Sequence, residues 1–233
     1  MYTPSLRSEN GKAVGFTLLE LLIVIGIMVI LGTVLVLVLN PAETLKKTRD
    51  NQRISDLATM KTAIGLYVTN TVTPLLDNTS GNTTCASGTA TDTIYYSIGS
   101  DTTNIADSTL DNGSGSVPID GQVTAANLSQ VSGSGWIPIA FTGLTGGSPI
   151  SALPIDPTNT VTTASAVTSS DLVYRYKCDA SDLTFEMNAK LESTAYTLTD
   201  NKMTKDGGNN DNYYEAGTKL TILGAGGTGA FDF

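Results

Sequence analysis

The sequence predicts an α+β protein: a long amino-terminal helix, apolar in its first half and amphipathic in its second, packed on an antiparallel sheet with long loops. Three observations carry this prediction. A run of 24 apolar or small residues, Phe16 to Leu39, is broken only by the charge of Glu20. Apolar residues at helical spacing follow it, from Ala42 to Asn70. The remainder is rich in Thr, Ser, Gly and Asn, a composition that favours short strands and many turns. A length of 233 residues suits one moderate domain plus an appendage.

The apolar run comes first. As a helix its 24 residues span about 36 Å, against a hydrocarbon core of about 30 Å, so it is long enough to cross a membrane with some tilt. It exceeds the apolar stretch of roughly 7 to 15 residues usual in a cleaved secretory signal. Glu20 is out of place there. An acidic residue at mid-membrane is unfavourable by roughly 2.5 to 3.5 kcal/mol, so the carboxylate needs a partner or an exit. Without one it sits in the helix's first turn, favoured by the dipole and near the interface. The basic residues flanking the run are Arg7 and Lys12 before it and Lys46, Lys47, Arg49 and Arg53 after it. Their count alone leans towards a cytoplasmic body.

Asn40-Pro41 is expected to kink, open or end this helix, because proline lacks an amide hydrogen and crowds the preceding turn. Beyond it, Ile54, Leu57, Met60, Ile64, Tyr67 and Val68 recur at spacings of three or four, the stripe of a helix that packs on a sheet. Lys46, Lys47 and Arg49, beside Glu43 and Asp50, read as a solvated face or as headgroup contacts. From Thr71 to Gly135 the chain reads as long loops, with one strand candidate at Thr93–Gly99. Clearer strand candidates are 136–141 (WIPIAF), 171–178, 182–191 and 218–223 (TKLTIL), the middle two forming a β-hairpin. Four Asn-x-Ser/Thr sequons begin at Asn78, Asn82, Asn112 and Asn127, a number that chance accounts for in so polar a region.

Charge and composition exclude several functions. From Ile54 onward 7 basic residues face 18 acidic ones, a balance of −11, and so acidic a body is a poor match to a phosphate backbone. No direct nucleic-acid binding is expected. Histidine is absent, which removes Ser-His-Asp and Cys-His nucleophile systems and most zinc sites. No paired acids at a recognisable spacing suggest a carboxylate enzyme, so the expectation is no enzyme. Cys85 and Cys178 read as one disulfide if the body is exported, or as two buried thiols if it is not.

The stretch KAVGFTLLELLIVIGIMVILG, Lys12 to Gly32, resembles the amino-terminal signal of type IV pilins and type II secretion pseudopilins. That signal combines a short hydrophilic leader with basic residues, then Gly15, Phe16 and Glu20 in register, then an unbroken apolar helix. The resemblance implies a pilin-like fold in four parts: leader 1–15, membrane and assembly helix 16–40, amphipathic helix 41–70, and an extracytoplasmic β-rich body 71–233 with variable loops and a flexible tail. It implies cleavage by a prepilin peptidase between Gly15 and Phe16, N-methylation of Phe16, and assembly into a homo-oligomeric filament. The body would be exported from the cell membrane to the cell surface or periplasm. A platform protein and an assembly ATPase would lift subunits out of membrane lipid. Glu20 would then meet the new amine of Phe16, its own or a neighbour's, a partner that does not exist before the cut.

Within this resemblance a pilus subunit and a secretion pseudopilin both remain, and a non-polymerising anchored surface domain is the alternative outside it. "SALPIDPTN", Ser151 to Asn159, resembles the Leu-Pro-x-Asp-Pro turn of major pseudopilins, and Tyr174 and Tyr176 fit their later Tyr-x-Tyr. Thr158 stands where those proteins carry an aromatic residue. The Gly-rich loop 206–215 (DGGNNDNYYE) offers Asp206, Asn209, Asp211 and Glu215 as oxygen ligands, and the resemblance raises the expectation of calcium. The spacing is not that of an EF-hand, and the same residues also suit an ordinary turn. No other cofactor is expected. "GAGGTG", 224–229, matches G-x-G-x-x-G formally, but without a βαβ unit around it reads as tail.

Overall fold

The computed structural model describes residues 15–85, 94–99, 123–159 and 170–223. The leader before Gly15, the sequon at Asn112 and the 224–229 motif lie outside the described residues. Two compact units divide the chain, one ending at Thr44 and the other running from Leu45 onward.

Helix α1 covers Leu18–Leu39, and α2 covers Pro41–Asn70. The interruption falls at Asn40, whose left-handed φ of 38° ends α1. Pro41 then opens α2 at its first position, where a missing amide hydrogen removes nothing. Asn40 caps that start, its Oδ1 accepting from Glu43 N at 3.4 Å. The stretch Leu18–Val36 has a mean hydropathy of 2.8 and is long and apolar enough to cross a membrane.

The second unit is α+β. Four strands, β1 (Tyr95–Tyr96), β2 (Tyr174–Asp179), β3 (Thr184–Ala189) and β4 (Tyr214–Gly217), pair antiparallel in that order. Register puts Tyr176 opposite both Tyr95 and Met187, and Ala216 opposite Met187, so one face carries Tyr95, Tyr174, Tyr176, Cys178, Phe185, Met187 and Ala189. That face joins Leu57, Met60, Ala63, Ile64 and Tyr67 of α2 in a single core, closed by Trp136, Ile137, Ile139, Phe141 and Leu153. Hydroxyl groups tie the sheet down: Tyr174 donates to Asp56 Oδ2 of α2 at 2.8 Å, and Tyr176 donates to the carbonyl of Leu76, in the loop after α2, at 2.9 Å. The expected disulfide is formed between Cys85 and Cys178.

Several expectations are corrected. Residues 136–141 form no strand. Pro138 interrupts the donor series, Ala140 makes only an isolated bridge to Ser132, and a 3₁₀ turn follows at Phe141–Gly143. Residues 218–223 are not a strand either. The amides of Ile222 and Leu223 instead donate to Glu186 Oε2 at 2.6 and 2.9 Å, and the last strand lies just before them, at Tyr214–Gly217. Of the strand predicted at 93–99, Thr93 lies outside the described residues and the rest forms a strand only at Tyr95–Tyr96; Ser97 N still donates to Tyr174 O at 3.0 Å, but the Tyr174 amide goes to the Ser97 hydroxyl at 2.9 Å. The Asn82 sequon sits in a buried turn, its side chain holding Leu76 N and Pro74 O.

Candidate functional site

The first candidate is the start of α1. Thr17 is its N-cap, in extended backbone, and its hydroxyl accepts from Glu20 N at 3.2 Å. Glu20 Oε2 in return accepts from both Thr17 N and Thr17 Oγ1, each at 2.9 Å. This is a capping box, in which two otherwise orphaned amide donors are satisfied reciprocally. Sequence reasoning placed Glu20 without a partner before cleavage; the structure gives it Thr17. The T-x-x-E spacing ahead of an apolar run was the signal available and overlooked. Both donors converge on Oε2, and Glu20 Oε1 accepts from none of the described residues. Gly15 and Phe16 are exposed, Phe16 at 89%. Along α1 the large apolar side chains described are exposed as well.

The second candidate lies on α2, where the apolar stripe continues towards the amino end as buried charge. Arg53 is fully buried and holds Asp156 with two bonds, Nε to Oδ2 at 2.7 Å and Nη2 to Oδ1 at 2.9 Å. Its Nη1 reaches Asp50 Oδ1 and Glu192 Oε1, both at 2.8 Å. Arg49 holds both oxygens of Glu192, Nε to Oε1 at 2.6 Å and Nη2 to Oε2 at 2.7 Å. Asp50 in turn receives the amides of Glu192 and Ser193. The Leu-Pro-x-Asp-Pro turn thus has a mechanical explanation: Asp156 is the clamp that ties it to α2, and Trp136 fastens it again by donating to Pro154 O at 2.8 Å. Arg49 and Asp50, expected on a solvated face, are instead part of this network. Donation from Arg49, together with the charge of Arg53, holds the Glu192 carboxyl down at about 2.

The third candidate contains the residues expected to hold calcium. Glu215 is on β4, opposite Asn188 of β3, and shares the sheet's second face with Glu186, Asn188, Arg175 and Tyr96. All five are buried. The loop from Asp206 covers this face. Asp206 Oδ1 accepts from Gly208 N at 2.9 Å, and its Oδ2 accepts from Glu215 N at 2.7 Å. Glu215 Oε2 accepts from Asn210 N at 3.0 Å. A side chain at Gly208 would land on the Glu215 carboxyl group, so glycine permits the close approach there. Arg175 lies 4.8 Å from the Tyr213 ring and 6.0 Å from that of Tyr96. Asp206 and Glu215 therefore come together, Asn209 is half-buried, and Asp211 is exposed. Among the described residues no three His, Cys, Asp or Glu side chains converge in a way that can hold a metal ion.

Burial raises the carboxyl groups of both Glu186 and Glu215 above their ordinary range, and for Glu215 the facing Glu186 adds to the shift. Burial and the facing carboxyl group thus favour a protonated Glu215. Groups whose folded-state value is raised stabilise fully below the unfolded value of about 4.5, and that contribution is lost as pH rises. Glu215→Gln is therefore expected to unfold at a higher temperature than wild type at pH 8 and no higher at pH 4. Thermal melts at the two pH values check this; equal midpoints at pH 8 would contradict it.

Comparison of the chain with family models, with curated proteins and with solved structures finds no match.

Proposed function

We propose that the chain is a structural subunit of a type IV pilus-like filament, held in the membrane by α1 until assembly, with its body outside the cytoplasm and with no catalytic role. The observation that carries this reading is the register of Gly15, Phe16 and Glu20 ahead of an exposed apolar helix. Prepilin peptidase would cut after Gly15 and methylate the amine of Phe16, and a platform protein with its ATPase would lift the subunit into the fibre. The capping box fits this use. Oε2 of Glu20 serves its own helix, while Oε1 is available to the amine of an adjoining subunit. Mass spectrometry of the mature amino terminus tests the reading: a chain beginning at methylated Phe16 is expected, and an intact Gly15-Phe16 bond would end it.

Glu20→Ala is expected to leave membrane insertion intact or improved, while the yield of sheared filament falls at least about tenfold, the equivalent of one charge-assisted contact. Filament yield equal to wild type would refute the role of Glu20.

A second reading, a pseudopilin of a type II secretion apparatus, is favoured by the turn at Leu153–Pro157. Electron microscopy of sheared surface fractions separates the two, since long surface fibres built from this chain exclude the second. Calcium at Asp206, Asn209, Asp211 and Glu215 belongs to that second reading. It requires the oxygens of Asp206 and Glu215 to exchange their amide partners for the ion, and an unchanged melting temperature on adding calcium would argue against it.

A further inference from the structure

The basic residues after the apolar run divide into two sets. Arg49 and Arg53 are bound by Glu192, Asp156 and Asp50 within the domain. Lys46 and Lys47 have no carboxylate partner among the described residues. Lys47 Nζ lies instead 5.5 Å from the centroid of the Tyr196 ring, and Lys202 Nζ lies 5.6 Å from the same ring. Tyr196 is fixed in place by its hydroxyl, which donates to Asn51 Oδ1 of α2 at 2.7 Å. Lys202 and Lys205 share a single acid, Asp200, so with Lys47 at the same ring the cluster keeps a net positive charge, and Lys46 adjoins it in sequence. The Tyr196 segment, a π-helical turn at Ala195–Thr199, also presents Leu198 at 76% exposure. A body with a balance of −11 thus gathers lysines, an aromatic ring and an exposed leucine beside the first turns of α2.

We infer that this surface, Lys46, Lys47, Tyr196, Leu198, Lys202 and Lys205, docks on the anionic headgroups of the membrane that α1 enters. Chain length requires proximity. Two residue steps lead from Leu39 to Pro41 and six helical steps from Pro41 to Lys47, so Lys47 lies within about 16 Å of the end of the apolar run, whichever way α2 leaves it. Lysines at such a surface are attracted to anionic lipid, aromatic rings sit well at headgroup depth, and a lone leucine can enter the acyl boundary. The docking would hold the domain against the bilayer before assembly, and extraction would have to break it. This inference rests on the membrane-anchored reading of α1.

The full chain, reconstituted into vesicles of phosphatidylcholine alone or with phosphatidylglycerol, tests both levels. Lysine acylation is followed by mass spectrometry after flotation. Lys46, Lys47, Lys202 and Lys205 are expected to react about fivefold more slowly in the anionic vesicles, with the difference erased by high salt, while Lys61 and Lys219 react alike in both. In Lys47→Gln/Lys202→Gln the protection of Lys205 is expected to disappear. Co-flotation with equal acylation in the two lipids overturns the docking and leaves the anchor standing. Failure to float with either vesicle overturns the anchor, and the docking with it.

Discussion

Replacing Arg53 with alanine is expected to destabilise the domain by about 3 to 5 kcal/mol, because it strands buried carboxylates without their counter-charge. Asp50 and Asp156 are buried, and Glu192 is largely so. Arg53 is the one cation that touches all three. The large expected effect comes from what is left behind, not from the worth of the ion pairs themselves, since desolvation offsets most of that. Arg53→Lys is expected to fall in between: a point charge can neutralise but cannot reproduce the two-pronged hold on Asp156. The measurement is urea unfolding of the full chain in detergent, followed through the single Trp136, whose indole is tied to the Asp156 turn. A loss under about 1 kcal/mol, the size of a surface pair, would show that the network is not buried as described. The same network sets an acid limit. Glu192 is depressed to about 2, so its contribution is complete above an unfolded value of about 4.5 and disappears as pH falls through 2. Glu192→Gln should flatten the stability profile across that window.

Removing the disulfide by Cys85→Ser/Cys178→Ser is the second large effect. The bridge closes a sequence separation of 93 residues, for which loop-closure entropy predicts a loss of about 4 to 5 kcal/mol, the upper end of what such bridges give. Both sulfurs are in the core, so the serine variants also bury two hydroxyls, and a Cys→Ala pair separates that effect from loss of the link. The segment before Cys85 has its own fastenings. Asp77 accepts from the amides and hydroxyls of Thr79 and Thr84. Amide exchange within 76–85 should therefore stay protected in the variant, while the urea midpoint of the whole domain shifts. If exchange accelerates there first and the midpoint holds, the bridge is a local staple and the entropic account fails.

The helices, the hairpin and the pairing of the cysteines were legible because each depends on local or compositional signals. The apolar run, the three-and-four spacing from Leu57 to Tyr67 and the alternation of Tyr174 to Ala189 are all periodic. What escaped was burial of polar groups. Alternation says which residues share a face of a sheet, but not whether water covers that face, so the burial of Arg175, Glu186, Asn188 and Glu215 beneath the loop from Asp206 was not legible in the strands alone. The same applies to α2, where Asp50 reads as part of a solvated face because the groups that enclose the Asp50–Arg53 pair come from residues more than a hundred positions away. The false strands at 136–141 and 218–223 have the right residue types, but their amides or neighbours are committed elsewhere, to a 3₁₀ turn and to the Glu186 carboxylate. At the start of α1 the capping role of Thr17 is carried by the Thr17–Glu20 spacing, a local signal masked by the apolar run beside it, against which Glu20 stands out as a lone charge.

The two faces of the sheet should drift at different speeds under mutation. On the face towards α2, one apolar side chain can replace another of similar volume, and neighbours repack for less than about 1.5 kcal/mol. On the opposite face, a single exchange that removes an accepting oxygen orphans its partners, because Glu186 serves two amides and Glu215 a third. Variants that survive random mutagenesis should therefore be diverse at Met60, Ile64 and Met187 and nearly uniform at Glu186, with changes there appearing only in company with compensating changes across the strand.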